Sequence, residues 1–144
     1  MQIPALDEFR QESGTPPAMP WWVDVNDADF MLSIPDSWPE GEDGFGEPHE
    51  PSYRLALIVL PELESLKRKA VEYLAQIVDF GKMGIAGDPY LVHVNCDARK
   101  ETVIVEMAWE SDIYALWSVT FFWRERPEGT PRWVWPKAMG FSTR

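Results

Sequence analysis

The sequence predicts an α+β domain: an antiparallel sheet of about four to six strands packed against one main helix over residues 61–80. Two observations carry this. Pro61–Gly81 has a clean helical period, with Leu63, Leu66, Ala70, Tyr73, Leu74, Ile77 and Val78 falling on one face at three- and four-residue steps. The chain after it alternates apolar and polar residues in short runs separated by turn residues, the period of half-buried strands. A lone amphipathic helix cannot hide its stripe, so the sheet is its expected cover. With 144 residues and 45% hydrophobic content, the chain suits a single domain spanning 1–144.

Taken in order, residues 1–20 carry Pro4, Gly14, Pro16, Pro17 and Pro20 and read as an irregular arm with one short turn around Leu6–Arg10. Trp21–Val25 and Asp29–Ile34 read as two short strands about an Asn26-Asp27 turn. Residues 35–51, PDSWPEGEDGFGEPHEP, are dense in Pro, Gly and acid and read as a long exposed loop. Arg54–Leu60 fits a buried strand or an extra helical turn, with a break expected at Leu60 because a following proline disfavours the α region. Pro61 suits a first helical position and Gly81 a C-terminal cap.

Beyond the helix, Lys82–Pro89 is a glycine-rich loop and Tyr90–Cys96 a strand. Thr102–Trp109 turns Val103, Val105, Met107 and Trp109 to one face; Leu116–Trp123 does the same with Trp117, Val119, Phe121 and Trp123. Arg132–Trp135 is a last short strand stopped by Pro136. Trp21, Trp22, Phe122, Trp133 and Trp135 exceed what one helix can cover and read either as a protein-contact surface or as a second small core with the N-terminal strands laid over the other sheet face.

Chemistry-bearing motifs are sparse. His49 and His93 lie in different segments and Cys96 is the single cysteine, so no zinc set assembles and no internal disulfide forms; no metal or other cofactor is expected. Asp24-Val-Asn26-Asp27 opens like a calcium loop, but Ala28 and Pro35 stand where further ligands belong. His93 and Cys96, three apart on a strand, point to opposite faces and cannot pair; His93 reads as a satisfied sheet histidine and Cys96 as a small buried hydrophobe. Glu106 is the one acid on a rigid element, with Arg124 or His93 near it. The G-x-S-x-G elbow, the P-loop and G-x-G-x-x-G are absent, so no catalytic residue is assigned and the chain is not expected to be an enzyme.

Charge is the stronger pointer. Of the net −11, residues 1–60 carry −10, twelve acids against Arg10 and Arg54, while residues 61–144 carry −1. Nucleic acid would be repelled, and basic proteins are the favoured partners. Asp36, Glu40, Glu42, Asp43, Glu47 and Glu50, with Trp38 and Phe45 among them, form a candidate partner-binding loop in which rings supply area and charge supplies steering. The longest apolar run, Leu55–Leu60, is too short to span a bilayer, and no basic-then-apolar leader opens the chain; a cytoplasmic protein without membrane contact is expected.

An acidic, cysteine-poor α+β chain with this acidic-aromatic loop resembles the bacterial immunity proteins that neutralise contact-delivered toxins. The resemblance is to a class with no shared site motif, so no residue role follows from it. It implies a cytoplasmic inhibitor that binds a cognate toxin domain of basic surface and blocks its active site. Two other readings stand beside it: a small-molecule binder or enzyme with a pocket lined by Tyr73, Trp109, Tyr114 and Trp117, and an adaptor or structural subunit. An open sheet edge would also allow a homodimer.

Overall fold

A computed structural model describes residues 2–12, 19–25, 29–39, 41–42, 44–125 and 131–143. Among these residues seven strands form one sheet in chain order: β1 (Arg10–Gln11), β2 (Trp21–Val25), β3 (Phe30–Ile34), β4 (Tyr90–Asp97), β5 (Thr102–Trp109), β6 (Asp112–Glu125) and β7 (Pro131–Thr143). Neighbours are antiparallel except β3 and β4, which run parallel and are joined by a helical crossover. The fold class is α+β, and the sheet exceeds the expected strand count. The difference arises because β1, β2 and β3 extend the same sheet instead of covering its other face.

The crossover is helical from Glu50 to Ala75: α1 (Glu50–Val59), a 3-10 turn at Leu60–Glu62, and α2 (Leu63–Ala75). This corrects the expected start at Pro61. Leu60 adopts φ −55° and ψ −43°, helical despite the proline after it. A proline inside a helix costs about 3 kcal/mol. Against that, Leu55, Val59 and Leu60 are no more than 1% exposed, and each such side chain gains about 1.5–3 kcal/mol on burial. Burial wins. The buried positions 55, 56, 59, 60, 63, 66, 70 and 74 make one stripe that crosses Pro61 unbroken.

The stripe ends at Leu74. Since α2 closes at Ala75, Ile77 falls beyond it and is 53% exposed, contrary to its expected place on the apolar face. Gly81 accordingly lies in the following turn region and caps no helix. Phe80 instead packs on Trp109 and Trp117, ring centroids 5.0 and 5.8 Å away.

Alternation sorts the strands as expected. Leu32, Val94, Val105 and Val119 stand in one register row and are fully buried beneath the helices. The opposite face carries Trp22, Met31, Ser33, His93, Asn95, Ile104, Glu106, Ser118 and Thr120, all half-buried except Ser33. β7 runs eight residues past the expected end at Trp135, which an edge strand allows since an outward-facing position needs no N–H. Trp133 and Trp135 lie on it with their side chains outside the described set, as does that of Tyr114, while Asn26 and Asp27 lie outside the described residues altogether. In the described part of the arm, residues 2–12, the 3-10 turn Leu6–Glu8, Phe9 edge-on to Tyr53, and the Tyr53 hydroxyl donating to the Pro4 carbonyl at 2.8 Å tie the chain down; Gly14, Pro16 and Pro17 lie outside the described residues. Among the described residues no helix is long and apolar enough to cross a membrane.

Candidate functional site

The segment between β3 and α1 is a pinned loop whose neck is closed by backbone bonds. His49 N donates to Pro35 O at 2.9 Å and Ser37 N to Glu47 O at 2.8 Å, while the Ser37 hydroxyl accepts from Glu47 N. At its centre lies Asp36, 4% exposed. One carboxylate oxygen accepts from Trp21 Nε1 at 2.8 Å and Gln11 Nε2 at 3.0 Å; the other accepts from the backbone N–H groups of Trp38 at 2.7 Å and Gly46 at 2.8 Å. Burial alone would raise the Asp36 pKa. The bonds from Trp21, Trp38, Gly46 and Gln11 outweigh it and hold the carboxyl below its ordinary value.

The residues expected to bind a partner therefore divide. Asp36 faces inward as the loop's organiser and offers no free carboxylate to a partner. Glu50 is not in the loop but opens α1, where its charge suits the helix N-terminus. Trp38 and Phe45 stand out from the loop, 38% and 43% exposed, with Glu42 and Glu47 exposed beside them. Glu40 and Asp43 lie outside the described residues. The Trp38 indole lies against Gly44, whose φ of +148° and missing Cβ leave room for the ring.

A groove of about 330 Å³ runs between this loop and the β4–β5 turn, lined by Trp38, Pro39, Asn95, Asp97 and Arg99 among others. It sits at the carboxyl ends of β3 and β4, the parallel pair. Asp97 shapes its far wall by accepting from the backbone N–H groups of Arg99 and Lys100 at 2.9 and 3.2 Å. Arg99 bridges back to the loop, donating from Nη1 to Trp38 O at 3.2 Å. The helix is sewn to the same turn through Ser52, whose hydroxyl accepts from Ala98 N at 2.9 Å and lies 2.7 Å from His49 Nδ1. Burial, and then the Arg99 charge, lower the His49 pKa against the opposing pull of Asp97.

A second polar cluster lies on the uncovered face of the sheet. His93 Nε2 is 2.6 Å from Ser33 Oγ, His93 Nδ1 is 3.3 Å from Glu106 Oε1, and Asn95 Nδ2 donates to Ser33 Oγ at 2.7 Å. The bond with His93 lowers the Glu106 pKa, against burial, which raises it. Of the two partners expected for Glu106, this pairs it with His93. Sequence reasoning missed Ser33 and Asn95, because only the parallel β3–β4 pairing brings position 33 beside 93 and 95.

Cys96 is fully buried on the helix-covered face, and burial followed by the neighbouring Asp97 pushes its thiol far up. Trp109 and Trp117, core by their alternation and lining a ligand pocket only in the small-molecule alternative, are 2% and 3% exposed and pack edge-to-face at 6.4 Å. They are core. Among the described residues no group of three His, Cys, Asp or Glu side chains is placed to hold a metal ion. No protein-family model, curated protein or solved structure matches this chain.

Proposed function

We propose that the chain is a stoichiometric inhibitor of the immunity-protein kind, which binds a basic toxin domain through the loop between β3 and α1 and blocks its active site. One observation carries the reading: a loop held in shape from within by Asp36 turns two large aromatic side chains, Trp38 and Phe45, towards solvent beside Glu42 and Glu47. Exposing aromatic surface is unfavourable for an isolated protein, whereas a rigid display of it lowers the entropy a partner must overcome. The −10 balance of residues 1–60 adds steering towards a basic surface. Such a partner is met in the cytoplasm, where an inhibitor guards its own cell.

The test is capture of a partner from the source cell with tagged protein at low and moderate salt, followed by titration. One basic protein recovered in near-equal amount, with its toxicity suppressed, is expected. Trp38→Ala then weakens binding roughly 30-fold, as an interface anchor of about 2 kcal/mol would. Glu42→Lys with Glu47→Lys slows association and flattens its salt dependence. Unchanged affinity in both variants would remove the loop from the interface.

A further inference from the structure

The cluster on the uncovered face has a direction. An ionised Glu106 only accepts hydrogen bonds, so in the neutral imidazole the proton sits on Nδ1 and Nε2 is left to accept. Ser33 is then the donor to Nε2 at 2.6 Å, while Asn95 donates to the same serine oxygen at 2.7 Å. Carboxylate, imidazole and hydroxyl thus stand in the order that activates a nucleophile, drawn from β5, β4 and β3. A bulge between Leu91 and His93 puts the irregularity of β4 beside the imidazole, and from His93 onward the register is regular.

A buried sheet serine needs one partner to be satisfied. Ser33 has two short ones. It is 3% exposed, but His93 and Glu106 keep 20% and 30% of their side-chain surface, and Asn95 lines the end of the groove beside Trp38. The exposed parts of the imidazole and the carboxylate mark the uncovered sheet face as the side from which a small substrate would approach.

We propose that Ser33 is a nucleophile for acyl transfer, with His93 as its base, Glu106 as the positioning residue and Asn95 as oxyanion donor, acting on a small acyl ester that approaches from the uncovered face of the sheet. The Ser33 oxygen bonds to the ester carbonyl carbon as its proton passes to His93 Nε2. The bond to the leaving alcohol breaks, and that alcohol takes the proton from Nε2. Water, deprotonated in turn by His93, cleaves the acyl-serine to a carboxylic acid and restores the hydroxyl. Asn95 Nδ2 has a second hydrogen, and at 2.7 Å from Oγ it is within reach of the oxygen carried on the attacked carbon. This proposal does not depend on the partner-binding reading, and it uses other residues.

The full chain is incubated at pH 8 with a fluorophosphonate, which serine attacks at phosphorus with loss of fluoride, and read by intact mass and peptide mapping. A single adduct at Ser33 is expected, together with slow turnover of p-nitrophenyl acetate. Ser33→Ala abolishes both. His93→Gln slows labelling at least tenfold and removes its rise with pH, and Glu106→Gln slows it while shifting that pH profile, a change a purely structural carboxylate would not cause. Melting curves establish that the variants fold. Wild-type protein that is folded and unlabelled, an adduct that survives Ser33→Ala, or equal labelling in His93→Gln would each overturn the proposal and leave the cluster as a brace between strands.

Discussion

At Asp36 the carboxylate has become structure. Four donors converge on it: two side chains from the N-terminal strands and two backbone amides of the loop. Removing it strands those donors, and a buried unsatisfied group costs roughly 1–3 kcal/mol. Asp36→Ala is therefore expected to lower unfolding free energy by about 2–4 kcal/mol in urea titration, and Asp36→Asn by less, since one acceptor oxygen survives. A loss near zero would mean that the loop is not held from this residue. The pH sign follows from the lowered pKa. The unfolded state binds the proton first, so the contribution is complete above the ordinary value of 3.8 and is lost as pH falls through the lower folded value. His49, also shifted down, behaves alike higher up: its share is complete above 6.5 and declines as pH falls below that, as the imidazole at the α1 terminus is forced to charge. Thermal melts between pH 5 and 8 on wild type and His49→Gln should converge at the acid end if this holds.

At the scale of elements, the strands that alternate cleanly were legible. Residues 21–25, 30–34 and 102–109 fall where the period of two puts them, since one buried face fixes each register. Prolines misled in both directions. Pro61 reads as a boundary, yet the stripe from Leu55 to Leu74 spans it; Pro136 reads as a stop, yet β7 continues to Thr143 on the sheet edge. Local rules describe local cost, which burial of neighbouring residues outweighs at Pro61 and the outer edge of the sheet spares at Pro136. The loop was legible as a loop but not as a built one. The Asp36 carboxylate bonded to the amide two residues on is an Asx turn that its sequence permits, whereas its bonds to Gln11 and Trp21 required the fold. The helix offers a direct check. Leu60→Ala should cost about 2–5 kcal/mol as a core truncation, while Pro61→Ala should raise stability by about 2 kcal/mol, because the cost of about 3 kcal/mol for a proline inside a helix is relieved and a freer unfolded chain takes back about 0.4–1 kcal/mol of it. If Pro61→Ala left stability unchanged or lowered it, Pro61 would stand at a boundary where proline costs little, and the two helical segments would be separate elements and not one stripe.

For the whole molecule, the uneven charge has a consequence that needs no partner. Residues 1–60 supply β1, β2, β3, the loop and the start of the helix, so among the described residues nine acids against Arg10 and Arg54, a balance of −7, belong to the β1–β3 side of the chain. Like charges held together in the folded state repel more than in the expanded chain, so this flank works against compactness at neutral pH. Salt screens that repulsion, but it screens attraction too, and the outcome depends on which is larger. The ion pairs on view are weak ones. Among the described residues, Lys67–Glu64 is a 3.3 Å helix-surface pair with an exposed glutamate, and such exposed pairs contribute about 0–1 kcal/mol; Arg99–Asp97 has a buried carboxylate but is separated by 3.9 Å. The strong contacts of Asp36 are short hydrogen bonds to neutral donors in a buried setting, which salt barely reaches. Repulsion should win, so the melting temperature at pH 7 is expected to rise by several degrees between 10 mM and 150 mM sodium chloride, over which the screening length falls from about 30 to about 8 Å. The same increment at pH 4 should be smaller, because many of the acids are then protonated and there is less repulsion to screen. A melting temperature that falls with salt at pH 7 would reverse the argument: attractive pairs would then govern the stability of the folded chain, and the acidic flank would be balanced within the molecule instead of waiting for a basic surface outside it.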